Sequence, residues 1–308
     1  MNHTIRFARI LPCAIALAAA ALFATTSSAT MIGPVDLGTA GQFTLLALSG
    51  DIQDSGPTGP DATTASVVGP VGIAEAGHKF QNSGSRIYNG PIYLHTGTTF
   101  NNSAPGVPQP TMGPQIDSML AQASADAFAA SSFAASLQAT ATYGTINNSL
   151  TISEASKGAY VFDIAGINFS GGKTLTLDAP AGSDFILNIG GGGITLSPGS
   201  IVLSGGLTPD HVLINYTGTG TINTSGGSNS SRIYANILAP YAHVQLTPGF
   251  VAGFIIAGSI QMASGANVVP IPEVMPSSVI FGFIGLIVAF GSRRVLMARA
   301  RAMVGIRG

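Results

Sequence analysis

The chain has 308 residues, of which 46% are hydrophobic and 8% charged, with 40 glycines and 18 prolines. Soluble domains average about 25% charged residues and disordered chains pair high charge with low hydrophobicity, so this composition describes a folded, turn-rich, weakly charged chain. Residues 30–269 carry five of the twelve cations and twelve of the thirteen acids, a formal charge of −7, which argues against nucleic acid as a partner.

The N-terminus places Arg6 and Arg9 before an apolar run from Ile10 to Ala24, followed by Ser27-Ser28-Ala29. Such a layout predicts a secretory signal peptide over residues 1–29, cleaved after Ala29, with an uncleaved anchor as the alternative. Cys13, the one cysteine, lies inside that run. Cleavage would therefore leave a mature domain over 30–269 with neither disulfides nor thiolate chemistry.

Next along the chain, Asp51, Asp54 and Asp61 cluster in a Gly/Pro-rich stretch. Calcium ligation through their oxygens and simple solvation of an acidic loop both fit, although the spacing is not that of an EF-hand. Residues 114–138 carry the clearest helix signal. Ile116, Leu120, Ala123, Ala127, Ala130, Ala134 and Leu137 form a single apolar stripe behind Pro114. Twenty-five residues at about 1.5 Å each make a rod of roughly 38 Å, the height of roughly eight strands stacked about 4.8 Å apart.

Gly166-INFSGG-Lys173-Thr174 fails as a phosphate loop, because Ile167 stands where the first glycine is required. Beyond it come short β-forming runs closed by turn residues: TLTLDA (174–179), FILNIG (185–190), ITLSPGSIVLSGG (194–206), HVLINYTG (211–218), TINTSGG (221–227) and FIIAGSIQM (254–262). A sandwich or a solenoid accommodates such strands equally. Two features favour a parallel β-solenoid with the helix alongside: the length of that helix, and the loosely recurring units Leu196-Ser197-Pro198-Gly199 and Leu246-Thr247-Pro248-Gly249.

No catalytic constellation emerges. His78, His95, His211 and His243 are scattered singly, no G-x-S-x-G exists, and the five basic residues of the mature stretch form no dense group with acids. The expectation is a non-enzymatic domain without a cofactor or a metal, polysaccharide lyase being the enzymatic alternative. Thr174, Thr176, Thr217, Thr219, Thr221 and Thr224 are the candidate surface-binding residues, since alternating threonines can present hydroxyl and methyl groups on one strand face.

At the C-terminus, Pro270, Pro272 and Glu273 precede an uncharged stretch over about 274–292, followed by Arg293 and Arg294. Its length suits a transmembrane helix with the arginines on the cytoplasmic side. This order resembles the PEP-CTERM sorting signal of Gram-negative bacteria. The resemblance implies processing by an exosortase over residues 270–308 and release to the envelope or the extracellular matrix. A plain membrane anchor is the alternative.

Three further segments carry a second resemblance: Asp36-LGTAGQFTLLALSG, Lys173-TLTLDAPAGSDFILNI, and Leu207-TPDHVLINYTG with Ala235-NILAPYAHVQL. They resemble choice-of-anchor A domains, and their order around a helix is similar to the ice-binding-like family, whose members are β-solenoids with a helix packed alongside. The resemblance covers about 36–262. It implies an exported adhesin that binds exopolysaccharide or another surface, with ice binding as the alternative.

Overall fold

The computed structural model describes residues 30–55, 66–84, 87–104, 106–226, 231–263 and 265–269. The expected signal peptide, Ala29, Asp61, the sorting motif Pro270, Pro272 and Glu273, the apolar stretch 274–292, and Arg293 and Arg294 lie outside the described residues.

The chain winds into parallel strands arranged on three faces, A, B and C, in nine stacked rungs among the described residues. Rung 1 comprises Ile92–Leu94 and Thr99–Asn102. Rung 2 comprises Val71–Ile73, Lys79–Asn82 and Ile87–Asn89, and rung 3 Leu45–Ala47, Ile52–Asp54 and Ser66–Val68. Rung 4 is Ile255–Met262, which bends across faces A and B, followed by Asn267–Val269. Rung 5 is Asn236–Thr247 with Phe250–Ala252, and rung 6 Val212–Tyr216, Thr221–Ser225 and Arg232–Tyr234. Rung 7 is Asp184–Ile189 with Ile194–Ser204, rung 8 the single bent strand Ala159–Asp178, and rung 9 Ala141–Ile146 with Leu150–Ser153.

Spatial order departs from chain order. The chain climbs from rung 3 to rung 1, crosses to rung 9, and descends to rung 4, which closes against rung 3. The crossing is made by helix α1, Pro114–Ser136. Its 23 residues at about 1.5 Å each span about 34 Å, close to the roughly 38 Å covered by eight gaps of about 4.8 Å. This return explains why the helix is long: a shorter one would not reach the far end of the stack.

Inside the solenoid, period-2 alternation buries one continuous apolar core. On face A the inward residues include Leu45, Ile255, Ile237, Ile214, Leu187 and Phe162; on face B, Ile52, Ile260, Val244, Ile222, Ile194 and Ile167. A second core lies between face A and the helix, where Leu120, Ala123, Ala127, Ala130 and Ala134 meet Leu46, Ile256, Leu238, Leu213, Ile186 and Val161. The expected stripe is thus the buried one. Its small alanines let the helix axis sit close to the sheet, and the interface gains its apolar area from the strand side.

Where the sheet side turns polar, the helix does too. Asn215 and Asn188 continue the outward column that begins with Leu46, Ile256 and Leu238. Ser131 Oγ donates to Asn215 Oδ1 at 2.6 Å, Asn215 Nδ2 to Ser131 O at 3.0 Å and to Asn188 Oδ1 at 2.9 Å, and Asn188 Nδ2 to Ala134 O at 2.8 Å. This network satisfies buried polar groups and fixes the helix in one register. Two helix carboxylates add to the fixing: Asp126 accepts from Thr39 N–H at 2.7 Å and Asp117 from Thr96 N–H at 2.8 Å.

Glycines make the corners where rungs turn between faces. Gly171 and Gly172, the pair that mimicked part of a phosphate loop, have φ of 68° and 81° at the B–C corner of rung 8, a left-handed conformation that glycine adopts without a Cβ clash. Gly253 has φ of 146°, and a Cβ there would meet Ala235 O at 2.4 Å.

Candidate functional site

Faces A and B use the same strand geometry but present different outward residues. On face B, Asn101, Gln81, Gln53, Gln261, Gln245, Asn223, Thr195 and Asn168 stand in direct register on rungs 1 to 8. Seven of these eight side chains are amides. Parallel pairing repeats them about every 4.8 Å, forming a ladder of donors and acceptors. Beside the ladder runs a hydroxyl column, Ser170, Ser197, Ser225 and Thr247. Ser225 Oγ donates to Ser197 Oγ at 2.8 Å, and Thr247 Oγ1 to Thr224 O at 2.9 Å. On the other side of the ladder lie Lys79, Ser259, His243 and Thr221, with Asp51 between Lys79 and Ser259.

The threonines singled out from the sequence do not come together. Thr174 and Thr176 lie on face C of rung 8. Thr174 is in line with Ser200, Arg232, Phe250 and Asn267, and Thr176 with Thr151 and Val202. Thr217 and Thr219 sit at the A–B corner of rung 6, where Thr217 Oγ1 donates to Ile189 O at 3.3 Å. Thr221 points outward on face B. Thr224 corrects the expectation outright: it faces the core between Leu196 and Leu246 and is fully buried. Thr221 and Thr224 share the strand Thr221–Ser225, and a spacing of three along it turns the one outward and the other inward.

The ladder escaped sequence reading because most neighbouring members lie 16 to 28 residues apart at irregular intervals set by loop lengths, and Gln53 and Gln261 meet only through the closure of the stack. The available signal is a single outward Asn, Gln or Thr in each face-B strand, visible only once the register is known.

The acidic cluster separates too. Asp51 points outward, while Asp54 points inward in a buried polar column with Asn82 and Asn102. No group of three His, Cys, Asp or Glu side chains among the described residues is arranged to hold a metal ion. Burial acts to raise the pKa of Asp51, but hydrogen bonds from Gln53 and the Lys79 N–H, together with His78, outweigh it and hold the carboxyl below its ordinary 3.8. Asp117 is also lowered, chiefly by the hydrogen bond from the Thr96 N–H.

No helix among the described residues is long and apolar enough to cross a membrane. No curated protein matches the chain. Solved structures with a similar fold include an ice-binding protein from an Arctic yeast (18% identity, TM-score 0.53, covering 79% of this chain and 98% of that one). Another is ice-binding protein 1 of Shewanella frigidimarina (22%, TM-score 0.51, 78% and 98%). A third, from an Antarctic Flavobacteriaceae bacterium, shares 19% identity at TM-score 0.52, covering 80% of this chain and 49% of that one. These likenesses agree with the β-solenoid and its flanking helix. Residues 24–268 match the family described as an ice-binding-like adhesive domain, and a match over that much of the chain places this protein in that family.

Proposed function

We propose that the protein is an exported, non-enzymatic adhesin that holds exopolysaccharide along face B. One observation carries the reading: an in-register ladder over eight rungs in which seven members are Asn or Gln. Amides donate and accept at once, which matches the hydroxyls and ring oxygens of a glycan chain. A binding energy spread over many weak contacts suits a long polymer. Ice binding has the hydroxyl column in its favour, but the amides run down the middle of the face and would lose more side-chain entropy against a rigid lattice than small hydroxyl side chains. Export would be followed by exosortase processing, or by anchoring through residues 274–292.

The test is retention of the full chain on the host's own matrix polysaccharide. The wild type is expected to bind, and Asn168→Ala/Thr195→Ala to bind several-fold more weakly. Absence of wild-type retention would remove the adhesin reading. Thermal hysteresis above that of a charge-matched control would transfer the face to ice, and release of unsaturated sugars would transfer it to lyase chemistry.

A further inference from the structure

Face B carries a depression beside its ladder. At the closure of rung 4 on rung 3, Gly50, Asp51, Gln53, His78, His243 and Ser259 line an open cavity of about 310 Å3. These residues come from four rungs and from both ends of the domain. His78 precedes the face-B strand of rung 2, Asp51 that of rung 3, Ser259 belongs to rung 4 and His243 to rung 5. Only the closed solenoid brings them together. Gly50 makes the closure possible, since a Cβ there would lie 2.6 Å from Ser259 Cβ.

The donor set is specific in kind. His243 Nδ1 lies 2.7 Å from Ser259 Oγ. The other ring nitrogen, Nε2, has no partner among the described residues and is the position from which His243 can meet a ligand hydroxyl. Asp51 Oδ1 accepts the Lys79 N–H at 2.9 Å and also faces His78 Nδ1, while Oδ2 accepts Gln53 Nε2 at 3.0 Å and retains a further lone pair. His78 Nδ1 stands 3.5 Å from Asp51 and its Nε2 3.7 Å from Glu75. Carboxylate, amide, imidazole and hydroxyl converge without Phe, Tyr, Lys or Arg in the lining. A phosphate or a uronate would face the Asp51 carboxylate, and an apolar ligand would strand these groups. The volume is at the lower end of small-molecule sites, suited to one ring and not to several.

We propose that this cavity is a subsite for a single neutral pyranose, with one hydroxyl on Asp51 Oδ2 and another on His243. It rests on the polysaccharide reading of face B and adds a point of ring selection where the cavity opens onto the ladder at Gln53.

The experiment titrates the full chain with the methyl glycosides of glucose, galactose and mannose, and separately with glucuronate, following the His78 and His243 imidazole signals by NMR. At least one neutral glycoside is expected to shift both histidines saturably, while glucuronate does not. Asp51→Asn and the milder Ser259→Ala are expected to weaken that binding about tenfold or more, with unchanged circular dichroism excluding misfolding. Saturation that both variants leave untouched, equal binding of glucuronate, or no shift with any neutral glycoside would overturn the subsite. If the polymer is nevertheless retained and Asn168→Ala/Thr195→Ala lowers that retention, the face-B reading survives the loss. If neither the polymer nor a glycoside binds, both fall.

Discussion

Faces A and B are built from the same rungs, often from the same strand, yet one is a packing surface and the other an open one. Ile255–Met262 shows the contrast within a single element: Ile256 points out from face A into the helix interface, and Gln261 points out from face B into the ladder. The backbone treats the two alike. What differs is the outward residue at each second position, mostly apolar under α1 and mostly amide on face B, where no described element packs. A solenoid therefore separates stability from recognition: inward residues hold the stack, and outward ones decide what each face meets.

The comparison is sharpened most by truncation under the helix. Leu238→Ala removes a fully buried side chain from the face-A interface and is expected to cost about 2–5 kcal/mol in denaturant unfolding. Gln245→Ala, on the face-B side of the same strand, is expected to stay within about 0.5 kcal/mol while weakening polysaccharide retention. Equal destabilisation by the two would mean that face B is structural. The polar end of face A comes next. Asn215→Ala leaves Ser131 Oγ and Asn188 Oδ1 without their partner and should cost about 1–3 kcal/mol, whereas Asn223→Ala in the ladder should leave stability near wild type and change only retention.

Smallest is the acid response. Asp51 and Asp117 have folded pKa values below the ordinary 3.8. Their contribution is fully present above that value and is lost as pH falls through the lower folded value. The melting temperature should therefore be insensitive to these two groups above about pH 5 and decline below about pH 4. Asp51→Asn should make the decline shallower, as followed by thermal unfolding across that range. A decline of unchanged steepness in Asp51→Asn would assign the acid sensitivity to other carboxylates.

Much of the architecture was legible without coordinates. The alanine stripe of 114–138 marked the helix and its buried side, and the length of that helix against the spacing of parallel strands foretold a stack of about the observed height. These signals are local, set by a 3.6-residue period, by strand-forming runs and by turn residues. The arrangement of the rungs was not legible. Nothing in the order of segments says that rung 4 closes on rung 3, since that pairing joins residues 45–54 to 255–262 and is decided by which edges remain unpaired.

The site depended almost wholly on that arrangement. Thr224 and Thr221 carry the same side chain, yet one is core and the other surface, because three positions along the strand Thr221–Ser225 turn them to opposite faces. Gln53, Gln261 and Gln245 carry no mutual signal in the sequence, and His78 and His243 stand 165 residues apart. Composition alone determined a weakly charged, turn-rich domain, since each residue's preference for water, strand or turn is its own property. Only the tertiary structure decided which amides form a ladder and which histidines share a cavity, because parallel register couples residues by loop length and closure, and neither is encoded at the positions it brings together.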